Sequence, residues 1–218
     1  MTVPLPSTAK RGDPAMAALA VIFFVPLFIF RSIGPLDFWW WMSAGIALLI
    51  ALSLALDRSY AGLILSDFKN RLAWKIGVGI FAALLLYAVF YAGDRLSRQI
   101  LPFAGTGIGR VYGLKAGVSP LRIVLLVVCL IGPGEEFFWR GYLQRCWQAR
   151  FGTLPGWLLA TALYALVHAG SGNIMLVLAA GVCGLFWGFL YLRFKSVLLV
   201  AVSHTLWDLL VFIVLPFK

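Results

Sequence analysis

The residues best able to do acid–base chemistry in this chain are few, and all of them lie in or beside apolar segments. Its only two glutamates, Glu135 and Glu136, stand side by side, and Arg140 follows Glu136 by four residues. Its only two histidines are His168 and His204. Ionisable side chains at membrane depth need a partner, a water-filled cavity or a chemical task. We therefore expect these residues to form a functional site.

Glutamate and histidine together supply the parts of a hydrolytic site. A buried glutamate can act as a base toward water, and a histidine can share that water or donate a proton to the leaving amine. A second histidine with a polar partner can stabilise an oxyanion. His204 and Asp208 are four residues apart and share a helix face. The same types of group can bind a divalent metal with one position left for water, although the HExxH spacing of the usual zinc helix is absent.

Helix geometry separates the two glutamates. Adjacent residues on a helix point about 100° apart, so Glu135 and Glu136 cannot do the same job. Glu136 and Arg140 can pair along one face, which leaves Glu135 as the free carboxylate, although Arg140 can also reach Glu135. The Gly-Pro-Gly at 132–134 is expected to loosen the helix and make room for water, so that Glu135 faces a cavity.

Composition places these residues in a membrane protein. The chain has 218 residues, of which 62% are hydrophobic and 12% charged, and its mean hydropathy is +0.96. A soluble domain is about 45–50% apolar and about 25% charged. We predict an all-α, polytopic transmembrane helix bundle in a bacterial plasma (inner) membrane. The formal charge of +10 is spread over short loops, which fits membrane orientation and anionic lipids and not nucleic acid.

The apolar runs predict about seven spans, within a range of six to eight. They lie at about 14–31, 36–56, 72–93, from 119 onward, 154–169, 172–192 and 196–215. A charged connector is expected at 57–71 and a long loop, with an interfacial helix as an alternative, at 94–118. One integrated domain would then combine an N-terminal three-span region, 1–118, with a catalytic core, 119–218. Facing helices build sites in bundle cores, so we expect the active site between spans four, five and seven.

The motifs in these spans resemble those of the CPBP intramembrane proteases. That family includes type II CAAX prenyl endopeptidases and bacteriocin-processing or self-immunity proteins. The resemblance covers about residues 119–212, and the order and spacing of the motifs make it specific. Its motifs are EExxxR at Glu135, Glu136 and Arg140, FxxxH at Tyr164 and His168 with tyrosine for phenylalanine, and HxxxN or HxxxD at His204 and Asp208.

The resemblance implies an intramembrane endopeptidase that hydrolyses a peptide bond in a membrane-associated protein or peptide. By analogy Glu135 and His168 would activate water, while His204 and Asp208 would support the oxyanion or the water. The family is described both as glutamate-dependent and as metal-dependent. We favour a glutamic mechanism with no cofactor, and a divalent metal such as zinc on Glu135, His168 and His204 is the alternative.

Two departures from the family pattern affect the supporting residues. Tyr164 adds a hydroxyl where the family usually has a ring alone, and this hydroxyl can bond to the neighbouring histidine or to a carboxylate. Asp208 stands where asparagine would offer an amide donor. An ionised Asp208 would oppose an oxyanion, so it must be protonated, pair with His204 or ligate a metal. Glu136 and Arg140 are implied to give structural or electrostatic support.

The expected partners are membrane lipids and a protein or peptide substrate. A lipidated protein, a C-terminal segment and a leader segment are equally compatible with the sequence, and nucleic acid is not expected. Two other functions stay open. One is a non-catalytic membrane scaffold or bacteriocin-immunity protein of the same fold. The other is a proton-coupled carrier, since carboxylates and histidines at depth suit a proton relay.

Overall fold

The computed structural model describes residues 7–217, with side chains from residue 13 onward, and is almost entirely helical within them. Residues 1–6 and 218, at the ends of the two predicted regions, lie outside the described residues. Isolated β-pairing joins Ile33 to Leu36. The α-helices are α1 Ser7–Phe30, α2 Phe38–Leu56, α3 Arg58–Lys69, α4 Leu72–Ile100, α5 Ala104–Tyr112, α6 Pro120–Leu126, α7 Gly132–Glu136, α8 Arg145–Phe151, α9 Thr153–Val167, α10 Ile174–Phe194 and α11 Val197–Leu209.

Five helices of the described chain are long and apolar enough to cross a membrane. They are Asp13–Phe30, Phe38–Leu56, Leu72–Ile100, Ile174–Phe194 and Val197–Val214. A sixth span is added if two helical segments bent by 91° form one span, and these are Ala104–Lys115 and Pro120–Phe151. Helix α9 has 15 residues, or about 22 Å, against about 30 Å of hydrocarbon. The chain is an integral multi-pass membrane protein with five or six candidate spans, and the count of about seven stays a prediction.

The two connectors between the early spans also contain helices. The charged connector 57–71 holds α3, whose N-cap Asp57 accepts a hydrogen bond from the backbone N–H of Ser59 at 3.0 Å. Its other carboxylate oxygen accepts from Nη2 of Arg145 at 2.6 Å and so ties α3 to α8. Of the predicted loop 94–118, the residues up to Ile100 belong to α4, so its predicted start was wrong, while Ala104–Tyr112 form α5, in keeping with the alternative of a helix there. Both connectors are therefore partly helical.

The helix that carries the glutamates is continuous but irregular. It runs from α6 through a π-helical turn, Val127–Ile131, into α7, and then through a second π-helical segment, Phe137–Gln144, into α8. Such turns shift the register of all following side chains and are frequent at functional sites. A Cβ atom on Gly132 would overlap Thr205 of α11, and one on Gly134 would overlap Ile46 of α2. The glycines thus allow close helix contacts, and the expected loosening takes the form of π-helical turns on either side.

Helices of the first 118 residues pack directly against those that carry the motifs. Helix α4 lies along α11, and α1 contacts the 3₁₀ turn His168–Ser171 that follows α9. Helix α7 contacts α11, and α9 lies along α10. Asn173, the N-cap of α10, donates to the carbonyl oxygen of Gly107 in α5 at 2.8 Å. The motif helices are therefore enclosed by helices that carry no motif.

Candidate active site

Glu136 is held by two buried partners. Nη1 of Arg140 donates to its Oε1 at 2.8 Å, along the helix face that the spacing favours. Nδ1 of His204 lies 2.7 Å from the same oxygen. Glu136 is 0% exposed and Arg140 is 2% exposed. This carboxylate is therefore an internal anchor that joins its own helix to α11.

Glu135 points in a different direction and reaches a cavity. Its side chain lines a cavity of about 190 Å³, although the residue is only 3% exposed. The hydroxyl of Tyr164 donates to Glu135 Oε2 at 3.0 Å. Of the two partners considered for this hydroxyl, a histidine and a carboxylate, it therefore bonds the carboxylate. Nε2 of His204 lies 3.9 Å from the same oxygen. The adjacent glutamates thus occupy different environments.

His168 presents one nitrogen to the same cavity. Its Nδ1 lies 2.6 Å from the carbonyl oxygen of Tyr164, one turn earlier, so Nδ1–H is the donor there. The lone pair of Nε2 is then available as an acceptor. The ring of Phe28 lies 4.5 Å from the imidazole, between centroids, and fixes it from α1. The arrangement suits a histidine that accepts a hydrogen bond from water.

His204 faces carboxylates on both of its nitrogens. Nδ1 contacts Glu136, while Nε2 lies 3.5 Å from Oδ2 of Asp208 and 3.9 Å from Oε2 of Glu135. An imidazole that donates a hydrogen atom from both nitrogens would match the carboxylates on either side of it. Three alternatives were open for Asp208, namely protonation, pairing with His204 and ligation of a metal. The geometry agrees with pairing with His204. Because 3.5 Å is long for a hydrogen bond, the pair is one of charges.

The cavity brings all four predicted catalytic residues together. Its walls are otherwise mostly apolar and include α5 and the 3₁₀ turn after it. Polar groups therefore converge at one point of an apolar chamber, which is a common form of ligand site. The predicted residues that line it are Glu135, Tyr164, His168, His204 and Asp208, and the aromatic walls include Phe28, Phe38, Trp39, Phe90, Tyr112, Trp187, Trp207, Phe212 and Phe217.

The metal alternative concerns Glu135, His168 and His204. Acceptors orient Nδ1 of both imidazoles, as in many metal sites, whereas Nε2 of His204 already faces Asp208 and Glu135. Within the described part of the chain, no group of three or more His, Cys, Asp or Glu side chains has the spacing to hold a metal ion. The metal stays the alternative to the favoured mechanism without a cofactor, and the chemistry below uses the side chains alone.

The sequence of the segment that carries these motifs matches a known family. Residues 117–210 match the Rce1-like family of type II CAAX prenyl endopeptidases. This match confirms the resemblance predicted from the three motifs, and the Rce1-like segment, 117–210, contains every predicted site residue. It covers less than half of the chain. No curated protein and no solved structure matches significantly.

Several residues at the site have no place in the motifs. Trp187 of the Rce1-like segment stacks on His204, and Phe28 and Trp39 come from helices before it. The sequence carries no signal for Trp187, because α10 is apolar on all sides and its buried face is seen only in the structure. It carries none for Phe28 and Trp39 either, since only tertiary packing brings α1 and α2 to the cavity.

Proposed function

We propose that this chain is an intramembrane endopeptidase that hydrolyses a peptide bond in a membrane-associated protein or peptide. One observation carries the proposal: of two adjacent glutamates, Glu136 is neutralised by Arg140 and His204, while Glu135 faces a cavity beside His168. A purely structural role would need only the paired carboxylate, that of Glu136. The match of the Rce1-like segment to an endopeptidase family supports the activity.

In the proposed reaction Glu135 is the base. It takes a proton from a water molecule in the cavity, and the oxygen of that water attacks the carbonyl carbon of the scissile bond. The lone pair of His168 Nε2 accepts the second hydrogen of the water and orients it. The Tyr164 hydroxyl holds one oxygen of Glu135 and leaves the other for the water. Burial strengthens these interactions because the mostly apolar walls of the cavity lower the local dielectric constant.

His204 is the proposed oxyanion donor. Its Nε2–H stabilises the negative oxygen of the tetrahedral intermediate, and Glu136 and Asp208 balance the positive charge on the ring. Asp208 acts through His204 and does not contact the oxyanion. Glu135 then returns its proton to the leaving nitrogen, the C–N bond breaks, and a carboxylic acid and an amine are released. The site would lie between α7, α9 and α11, the helices predicted as spans four, five and seven.

The substrate is proposed to present an apolar segment. The cavity walls are aromatic and aliphatic, so a peptide region that is itself hydrophobic loses little solvation on entry. A lipidated protein, a C-terminal tail and a leader peptide all meet this condition. We place the reaction at a bacterial plasma membrane and without a metal cofactor.

The test is cleavage by the purified protein in liposomes. Peptides with apolar segments near either end are supplied in the bilayer, and products are identified by mass spectrometry. We expect one defined cut with the wild type, no cut with His168→Ala, and normal activity with Cys129→Ala, which changes an exposed position outside the motifs. Failure to cut any peptide, combined with flux of a solute driven by a pH gradient, would favour the carrier and contradict the proposal.

A further inference from the structure

Trp187 of α10 forms a stacked pair with the imidazole of His204. The ring centroids lie 3.7 Å apart and the planes differ by 20°. Trp187 is completely buried and lines the cavity. No motif of the site includes it, and none of the steps above uses it.

The indole is itself held in place from two further sides. Its Nε1–H donates to Oγ of Ser203 at 3.3 Å, on the helix that carries His204. The ring of Trp207 meets it edge to face at 5.6 Å between centroids. A flat ring fixed by these contacts determines the plane of any ring stacked on it. The direction of both imidazole nitrogens of His204 is thereby set from α10.

The indole face also has an electrostatic effect. The face of an aromatic ring is negative and attracts a cation, with tryptophan the most effective of the side chains. The guanidinium carbon of Arg140 lies 5.5 Å from the centroid of the Trp187 ring, and Arg140 pairs with Glu136, which contacts His204. The indole thus lies beside both basic groups that contact Glu136. Its face helps to hold Arg140 and His204 around that carboxylate.

We propose that Trp187 is a positioning residue for the hydrolysis. Its face fixes the plane of the His204 ring, so that Nε2–H is directed toward the oxyanion. The inference rests on the proposed function of the site. It assigns a role to a residue that neither contacts the scissile bond nor takes a proton.

Kinetic variants separate this role from simple packing. Trp187→Phe keeps an aromatic face, whereas Trp187→Leu and Trp187→Met fill space without one. We expect Trp187→Phe to keep kcat within about threefold, and the two aliphatic variants to lower kcat roughly tenfold with little change in KM. Two aliphatic variants are used so that one folded protein is available if the other is not. An equal loss of kcat in all three would overturn the proposal.

A spectroscopic experiment tests the role of Trp187 without a substrate. The chain has only two histidines, so His168→Gln in a protein without a histidine tag leaves His204 as the single imidazole to assign. In this background, the ¹⁵N shift of Nδ1 is expected to lose the displacement caused by its hydrogen bond to Glu136 in Trp187→Leu, because the ring can turn, and to keep it in Trp187→Phe. Unchanged shifts in Trp187→Leu would contradict the inference. This measurement remains valid even if no peptide is cleaved. Absence of cleavage would contradict the proposed function alone.

Two control variants complete the design. Ser203→Ala removes the acceptor of the indole N–H while it keeps the stacked pair, and we expect a smaller loss of kcat than in Trp187→Leu. Trp157→Leu removes a tryptophan of α9 that packs against Phe189 and Gly188 of α10 and does not line the cavity. Its kcat and its His204 shifts are expected to match the wild type. If Trp157→Leu lowered kcat as much as Trp187→Leu, the loss would belong to helix packing in general.

Discussion

Arg140 Nη1 donates a hydrogen bond of 2.8 Å to Oε1 of Glu136, one helical turn earlier, and both side chains are almost completely buried. His204 Nδ1 approaches the same oxygen at 2.7 Å from another helix. Within the described residues, the other oxygen of Glu136 has no hydrogen-bond partner. Glu136 therefore contacts two basic side chains through one oxygen, and Glu135 lies apart from this cluster.

The first prediction concerns the stability of this pair. Glu136→Ala leaves Arg140 buried with no carboxylate, and removal of one partner of a buried ion pair costs about 3–5 kcal/mol. We expect a large fall in Tm in detergent, with unfolding measured by tryptophan fluorescence. Glu135→Gln should unfold close to the wild-type temperature, because its only strong contact is one hydroxyl. Equal Tm values for Glu136→Ala and the wild type would contradict the anchor.

The second prediction concerns the additional hydroxyl of Tyr164. Tyr164→Phe removes the donor to Glu135 but keeps the ring that the family pattern contains. A single hydrogen bond contributes about 1 kcal/mol, so we expect kcat to fall roughly fivefold with little change in Tm. Steady-state cleavage in liposomes is the measurement. Complete loss of activity in a folded Tyr164→Phe protein would make the hydroxyl a reactant, which the proposed mechanism does not allow.

The third prediction separates the charge of Asp208 from its shape. Asp208→Asn keeps the size and adds an amide donor, while Asp208→Ala leaves Nε2 of His204 without its neighbour at 3.5 Å. We expect kcat to fall roughly a hundredfold in both variants, because each removes the negative charge that balances the His204 ring. The kcat of Asp208→Asn decides the role. An Asp208→Asn protein with wild-type kcat would show that the charge is not needed and would contradict this role.

The fourth prediction concerns acid stability and lies outside the spans, at Asp57. Burial alone would raise the pKa of Asp57, but hydrogen bonds from Arg145 and Ser59 outweigh burial and hold that pKa below its usual value. A carboxyl group whose pKa is lower in the folded state stabilises the fold above its unfolded pKa of about 3.9. This contribution is lost as the pH falls through the folded pKa.

Asp57→Asn tests that expectation with the helix cap preserved, since asparagine is as good an N-cap as aspartate. We expect a lower Tm than in the wild type at neutral pH and a smaller fall in Tm between about pH 5 and pH 3. Thermal unfolding across that range, with Ser66→Ala on the exposed face of α3 as the control, gives the comparison. Parallel Tm curves for wild type and Asp57→Asn would show that the ion pair does not contribute.

Local geometry made part of the site predictable. The pairing of Glu136 with Arg140 and the shared face of His204 and Asp208 follow from helix spacing, because residues four apart meet whatever the rest of the fold does. The segregation of Glu135 from Glu136 follows from the same periodicity. These features needed no knowledge of which helices are neighbours.

Contacts between distant helices were not predictable from spacing. The approach of His204 to Glu136 and the stack of Trp187 on His204 depend on how α7, α10 and α11 are rotated and shifted against one another. Two π-helical segments in the glutamate-bearing helix alter that rotation, and no residue pattern announces them. The aromatic wall from α1 and α2 depends on packing of helices without motifs. Apolar runs do not determine the number of spans either, since α9 has 15 residues and is shorter than a membrane-spanning helix.

The central claim is that Glu135 activates the water that cleaves the peptide bond. Its most direct test is cleavage by Glu135→Gln, a change that removes the base and preserves size, measured in liposomes on protein shown to be folded and inserted. General-base catalysis contributes about 10²–10⁴-fold, so kcat should fall by at least a hundredfold while the peptide still binds. A correctly inserted Glu135→Gln protein that cleaves at the wild-type rate would contradict the account.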